Sequence, residues 1–226
     1  MRTIEMYGSL DCPFAYLATF RLRRLRERFA GETKVVWRNL ALEYVNRRPV
    51  TLPLIEAERE LLQMIEPELP YAPWGREAWE WPTTMWPAAE ALACAQLQGS
   101  RAAFEMSWAL RRAFFGESRN IALRHVLMEV AREVRAAEPS FDVGRFKVDW
   151  DVGQMKGAVL AESRRGWREL KLNGSATFVL EDGRRVTNPA VGAVDFDEEN
   201  YVLRGYEPFD GDWVAVYEAL LEIGEA

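Results

Sequence analysis

Residues 3–20 read TIEMYGSLDCPFAYLATF, and this stretch decides the fold. Thr3, Ile4, Met6 and Tyr7 supply strand-forming side chains, and Gly8-Ser9-Leu10-Asp11 interrupts the run. Pro13 suits a first helical position, because its missing N–H is one the helix leaves unused there and its φ is already helical. Cys12 then stands at the helix N-terminus, where unpaired N–H groups and the positive end of the helix dipole favour a thiolate. A cysteine so placed is expected to titrate below its free value of about 8.5 and to act as a nucleophile near neutral pH. Phe14, Leu17, Ala18, Leu22, Leu25 and Phe29 fall near helical spacing over residues 13–30, and Gly31 ends the helix. The arginines of residues 21–28 read as its solvated face. KVVWRNL, residues 34–40, has the β-branched and aromatic character of a buried strand. The first 40 residues therefore predict β-α-β with parallel strands.

Outward from this unit the chain turns helical. Helices are predicted over 54–65, 88–98, 100–115, 121–137 and 153–165 from apolar spacing. Residues 67–87 are rich in proline and tryptophan. They read either as a covering loop packed on the helices or as the wall of a cleft offering flat apolar surface. Thr177 to Leu180 reads as a strand, Asp182-Gly183 as a hairpin turn, and Arg184 to Thr187 as the partner strand. Trp213, Val216, Tyr217, Leu220 and Leu221 predict a terminal helix over 210–223.

Two segments carry a family resemblance. D-C-P-F-A-Y-L-A, residues 11–18, resembles the active-site turn of the DsbA-like branch of the thioredoxin superfamily. That branch holds C-P-x-C disulfide oxidoreductases, kappa-class glutathione transferases and 2-hydroxychromene-2-carboxylate isomerases, the latter two with serine at the first position. Near the C-terminus the family reads G-x-P-T-F-V, then D-G, then V-x-N-P. Gly174, Thr177, Phe178, Val179, Asp182, Gly183, Val186, Asn188 and Pro189 follow that pattern in order. The resemblance implies an α/β thioredoxin-like fold with an all-α helical insertion. The thioredoxin-like part would comprise residues 1–53 and 166–226, and the insertion residues 54–165. The sheet would be mixed, with about four strands.

The resemblance also implies a site. Cys12 is the expected catalytic thiol, with Ser9, Asp11, Pro13, Phe14, Ala15, Tyr16, Ser175, Ala176, Thr177 and Asn188 around its cleft. The Tyr16 phenol suits hydrogen bonding or core packing, and Asn188 suits a cleft role or a turn cap. Two positions depart from the family. Ala15 stands where the oxidoreductases have a resolving cysteine. Ala176 stands where the cis-proline is usual, and a cis bond before a non-proline costs about 2.5–4 kcal/mol, so a trans peptide is expected.

Composition narrows the rest. The chain has 226 residues, 49% hydrophobic and 28% charged, with a net charge of −6, which suits a globular protein and does not suggest a nucleic-acid surface. No segment of signal-peptide character or membrane-span length is read, so a cytoplasmic location without membrane association is expected. The single histidine, His125, and two distant cysteines do not make a zinc site. Cys94 lies in the apolar stretch EALACAQL, as a core cysteine or as the one distant candidate for resolving Cys12. No bound cofactor is expected; glutathione or another low-molecular-weight thiol is the expected co-substrate, and a small-molecule or protein thiol the expected partner. The oligomeric state is left open. Three functions follow: a monothiol disulfide oxidoreductase, a glutathione-dependent transferase or isomerase, and a non-catalytic binding protein that kept the fold.

Overall fold

A computed structural model describes residues 1–197, 199 and 202–222. In chain order the elements are β1 (Arg2–Gly8), α1 (Pro13–Phe29), β2 (Thr33–Asn39), α2 (Leu42–Asn46), α3 (Leu52–Ile65), α4 (Trp86–Gln96), α5 (Ser100–Arg111), α6 (Arg124–Ala137), α7 (Val143–Asp151), α8 (Lys156–Arg164), β3 (Thr177–Val179), β4 (Arg185–Thr187), β5 (Gly192–Asp197), β6 (Val202–Pro208) and α9 (Trp213–Leu221). The four-stranded sheet runs β2-β1-β3-β4. β1 and β2 are parallel, with Ile4 opposite Val35 and Met6 opposite Trp37. β3 lies antiparallel to β1 and to β4. This is the thioredoxin-like α/β arrangement expected from the sequence.

Alternation along the strands sends side chains to two faces. Ile4, Met6, Val35, Trp37 and Phe178 form one core with Leu22, Leu25 and Phe29 of α1 and with Tyr217, Leu220 and Leu221 of α9. Tyr7 and Leu40 face the other way, against Leu172 and Trp167. A larger core joins Leu61 and Leu62 of α3, Met106 and Leu110 of α5, Leu127, Val130 and Val134 of α6, and Phe141 and Phe146. Tyr16 and Leu17 enter that core from α1. Helix α1 is thus held between the sheet and the helices that follow β2.

The outer edge of β2 is not left bare. Trp37 N–H donates to Gln96 Oε1 (2.9 Å), Gln96 Nε2 donates back to Trp37 O (3.4 Å), and Asn39 N–H donates to Glu162 Oε2 (2.9 Å).

Several expectations are adjusted. α4 begins at Trp86, two residues early, because Pro87 fits its first turn. α5 passes at Arg112 into a π turn that runs to Gly116, and α8 passes into another over Arg165–Glu169. α6 begins at Arg124 rather than at 121. The sequence reading missed α2, α7 and the β5–β6 hairpin; Val194 and Phe196 of β5 alternate with Asp195 and Asp197, but the half-buried Leu203 and Tyr206 of β6 stand three apart, opposite a register shift. The terminal helix is present as α9, capped by Asp212; Ile223, at the end of the predicted helix, lies outside the described residues. The arginines of α1 are not simply a solvated face. Arg21 is buried and donates to Ala190 O (2.9 Å), Arg23 and Arg26 both pair with the buried Glu105, and Arg28 pairs with Glu218.

Candidate active site

Cys12 adopts an extended conformation (φ −92°, ψ 118°) immediately before α1, with Pro13 in the first turn. Its side chain makes no capping hydrogen bond to the helix. Instead the thiol donates to Ser175 O at 3.0 Å. Cys12 lines a cleft of about 680 Å³. One side is the turn Asp11–Phe14. The opposite side is the run from Leu42 through Arg48 to Leu54 and Glu58. Trp167 and Asn173–Ser175 complete it.

Ser9 ties this site together from beneath. Its N–H donates to Ser175 Oγ (2.9 Å), its hydroxyl donates to Asp11 Oδ1, and it accepts from Leu42 N–H (3.4 Å). Asp11 is buried, and burial is the chief reason its carboxyl is raised to about 6; the Ser9 hydrogen bond opposes the rise.

Two expectations are corrected here. The Ser175–Ala176 peptide is cis, not trans. Contacts fix both residues of this bond: the Cys12 thiol holds Ser175 O, Ser9 N–H holds Ser175 Oγ, and Asn188 N–H holds Ala176 O (2.9 Å). Second, burial pushes the Cys12 thiol up to about 12, against the low value expected at a helix N-terminus. The hydrogen bond to Ser175 opposes this, and the negative charges of Glu58 and Asp11 add to it. The magnitudes explain the outcome: a helix terminus contributes about 0.3–2 kcal/mol, whereas full burial moves a titration by up to about 3–5 pH units. Of the two readings of residues 67–87, the covering loop holds, since none of them lines this cleft. Trp81 donates its indole N–H to Val50 O (2.9 Å) and packs edge-on against Trp74, so the segment is a covering loop.

The other predicted residues separate into three groups. Pro13, Phe14 and Ser175 line the cleft with Cys12. Ala15, Tyr16, Ala176 and Thr177 are buried away from it. Tyr16 stacks on Phe115 with ring centroids 5.0 Å apart and donates to Pro70 O (2.9 Å), which makes it a core residue. Thr177 donates to Gly174 O (2.7 Å) and braces the strand. Asn188, at φ 45°, lines an adjoining groove with Phe14 and Glu58. Its Oδ1 is buried without a hydrogen-bond partner.

Sequence reasoning missed Arg111. It is 1% exposed, donates to Ser107 Oγ (2.7 Å), Ser107 O (3.3 Å) and Ser9 O (3.3 Å), and lies 5.8 Å from the Trp37 ring centroid. Helical periodicity assigns an arginine to the solvated face, so only a preference for burying the 107–111 pair, invisible in one sequence, would have marked it. Cys94 is fully buried as a free thiol in the larger core, and Cys12 is also free. His125 is exposed.

The family model of the DSBA-like thioredoxin domain matches residues 3–203. The chain belongs to the DSBA-like thioredoxin domain family. Members of that family are thiol oxidoreductases or isomerases. The cytosolic disulfide reductase DsbM from Pseudomonas aeruginosa has a similar structure, with 24% identity and a TM-score of 0.66 over 98% of this chain and 100% of that one. DsbM with GSH aligns with 23% identity and a TM-score of 0.65, over 97% and 99% of the two chains. A 2-hydroxychromene-2-carboxylate isomerase aligns with 14% identity and a TM-score of 0.57, over 82% and 88%. No curated protein matches the chain. Among the described residues no helix is long and apolar enough to cross a membrane.

Proposed function

We propose that this chain is a thiol–disulfide oxidoreductase working through one cysteine. The observation that carries this reading is the Cys12 thiol at the cleft, held against Ser175 O, with Ala15 where a second thiol would resolve it. In the forward step the Cys12 sulfur attacks a disulfide RS–SR. A Cys12–S–SR bond forms, the RS–SR bond breaks, and the Cys12 proton leaves with the departing RSH. An external thiol then attacks the mixed disulfide and restores Cys12–SH, because Ala15 cannot. Cys94, closed inside the other core, does not serve this step. The likeness to a cytosolic reductase solved with GSH supports glutathione as the small thiol and the cytoplasm as the location.

A second reading, a glutathione-dependent isomerase or transferase, draws on the apolar wall of Leu42, Leu54, Phe14 and Trp167, which suits an organic co-substrate beside a bound thiol.

Intact mass after incubation with oxidised glutathione separates them. The expected result is one glutathione on the wild type, none on Cys12→Ser, and release by reduced glutathione. Alkylation of Cys12 should keep accelerating above pH 9, since burial holds the thiol protonated. Reduced glutathione that slows alkylation without leaving an adduct selects the isomerase or transferase. A Cys12 that forms no adduct and ignores glutathione overturns both and leaves a binding protein.

A further inference from the structure

Arg111 is a buried cation whose hydrogen bonds all go to neutral oxygens: Ser107 Oγ, Ser107 O and Ser9 O. Its Nε has no hydrogen-bond partner. Burying a guanidinium is costly unless an anion answers it, and an apolar side chain would fill the same space without that cost. The group is pressed onto the back of the active-site turn. A Cβ placed on Gly8 would lie 3.4 Å from Arg111 Nη2 and 3.2 Å from Ala15 Cβ. Burial holds the guanidinium down to about 10, and the charges that act to keep it protonated are those of Cys12, Asp11 and Tyr16, in that order.

We propose that Arg111 is a positioning residue for Cys12: a cation delivered by α5 to the rear of the turn, which stabilises negative charge on the Cys12 sulfur during thiol exchange. This rests on the oxidoreductase reading above. Negative charge reaches that sulfur twice. It is there when Cys12 attacks a disulfide. It returns when an external thiol attacks the mixed disulfide and the Cys12 sulfur takes the electron pair of the breaking S–S bond as leaving group. Arg111 favours both steps. The other charged groups facing the site are Asp11 on the turn, Glu43 on α2, which acts on Asp11, and Glu58 on α3, all anionic, and Arg48, a cation that lines the cleft. The three anions oppose a thiolate; of the two cations, Arg111 is the one buried behind the turn.

The experiment compares wild type, Arg111→Gln and Arg111→Lys, each checked for folding by circular dichroism. Two quantities are read: the alkylation rate of Cys12 against pH, and the rate at which oxidised glutathione forms the Cys12 adduct. Removing a nearby opposite charge moves a titration by about one pH unit or more. Arg111→Gln should therefore slow both rates roughly tenfold at any pH below the thiol titration. Arg111→Lys should stay near wild type in both. A folded Arg111→Gln with an unchanged pH profile and an unchanged rate of adduct formation overturns the proposal. A wild type that never forms the adduct overturns the oxidoreductase reading instead, and the alkylation profiles still decide on Arg111.

Where Arg111→Gln does not fold, the charge is read in wild type by the ratio of alkylation by iodoacetate to that by iodoacetamide. A ratio above that of a free thiol that persists in Arg48→Ala, which removes the cation lining the cleft, belongs to the buried cation. A ratio that falls to the free-thiol value in Arg48→Ala overturns the proposal.

Discussion

Asp11 carries a cost that pH exposes. Its carboxyl is buried and raised from 3.8 to about 6, by burial first. Between about pH 4 and 6 the folded state therefore binds more protons at this group than the unfolded state does. Its contribution to stability is fully present below the unfolded titration and is lost as pH rises through the folded one. At about 1.4 kcal/mol per pH unit, the loss by pH 7 is roughly 3 kcal/mol. Asp11→Asn keeps an acceptor for the Ser9 hydroxyl and removes the charge. It should raise stability at pH 7 by up to that amount and show little advantage at pH 4, read by urea denaturation at both values. An equal difference at the two pH values would refute the account. The same residue shows what a single sequence conceals. Asp11 beside Cys12 was readable as a cleft residue, and its place in the turn was right. That burial would outweigh the helix terminus, for both Asp11 and Cys12, depended on α2 and α3 folding over the turn, which no local pattern announces.

Among the elements, α1 and the strands beside it were legible because their signals are local and agree: a proline at the first turn, helical spacing, β-branched strand residues. The π turns were not, since their cause is distant. Gly166, in the second of them, lies where α8 meets the sheet. A Cβ there would come within 2.4 Å of Leu40 Cδ1 and 3.1 Å of Tyr7 Cδ1. Both neighbours are fully buried and have little room to yield. Gly166→Ala should destabilise the protein by about 1–3 kcal/mol, the usual cost of overpacking, measured as a lower denaturation midpoint with an unchanged slope. Because Trp167 follows directly and lines the cleft, the same variant should also alter its fluorescence. The β5–β6 hairpin escaped notice for another reason: across its register shift the half-buried Leu203 and Tyr206 of β6 stand three apart, not at the two-residue period that marks a strand.

On the scale of the whole molecule, the helices after β2 and the sheet are joined through α1. Glu105 of α5 is 4% exposed and takes both Arg23 and Arg26 of α1. Glu105→Ala removes the shared anion from two cations. The expected loss is about 3 kcal/mol, the low end for breaking a buried pair, because Arg23 is still 35% exposed and can be hydrated. Since α1 contributes to both cores, helix content and near-ultraviolet signal should be lost together in one transition in wild type and variant alike. Two separated transitions would show that the helical part and the sheet unfold independently. At this scale the sequence disclosed the fold through two short matches at the ends of the chain. It disclosed little of the charge network, because the arginines of α1 look solvated until Glu105, Glu66 and Glu218 are brought to them from elsewhere.

The side chains that satisfy the outer edge of β2 have a consequence for behaviour in a crowded solution. A sheet edge with idle donors and acceptors invites another chain to add a strand, the first step of many aggregates. Here Gln96 and Glu162 occupy Trp37 and Asn39. The helices that follow β2 thus act as a guard against self-association, apart from anything they contribute to the chemistry at Cys12.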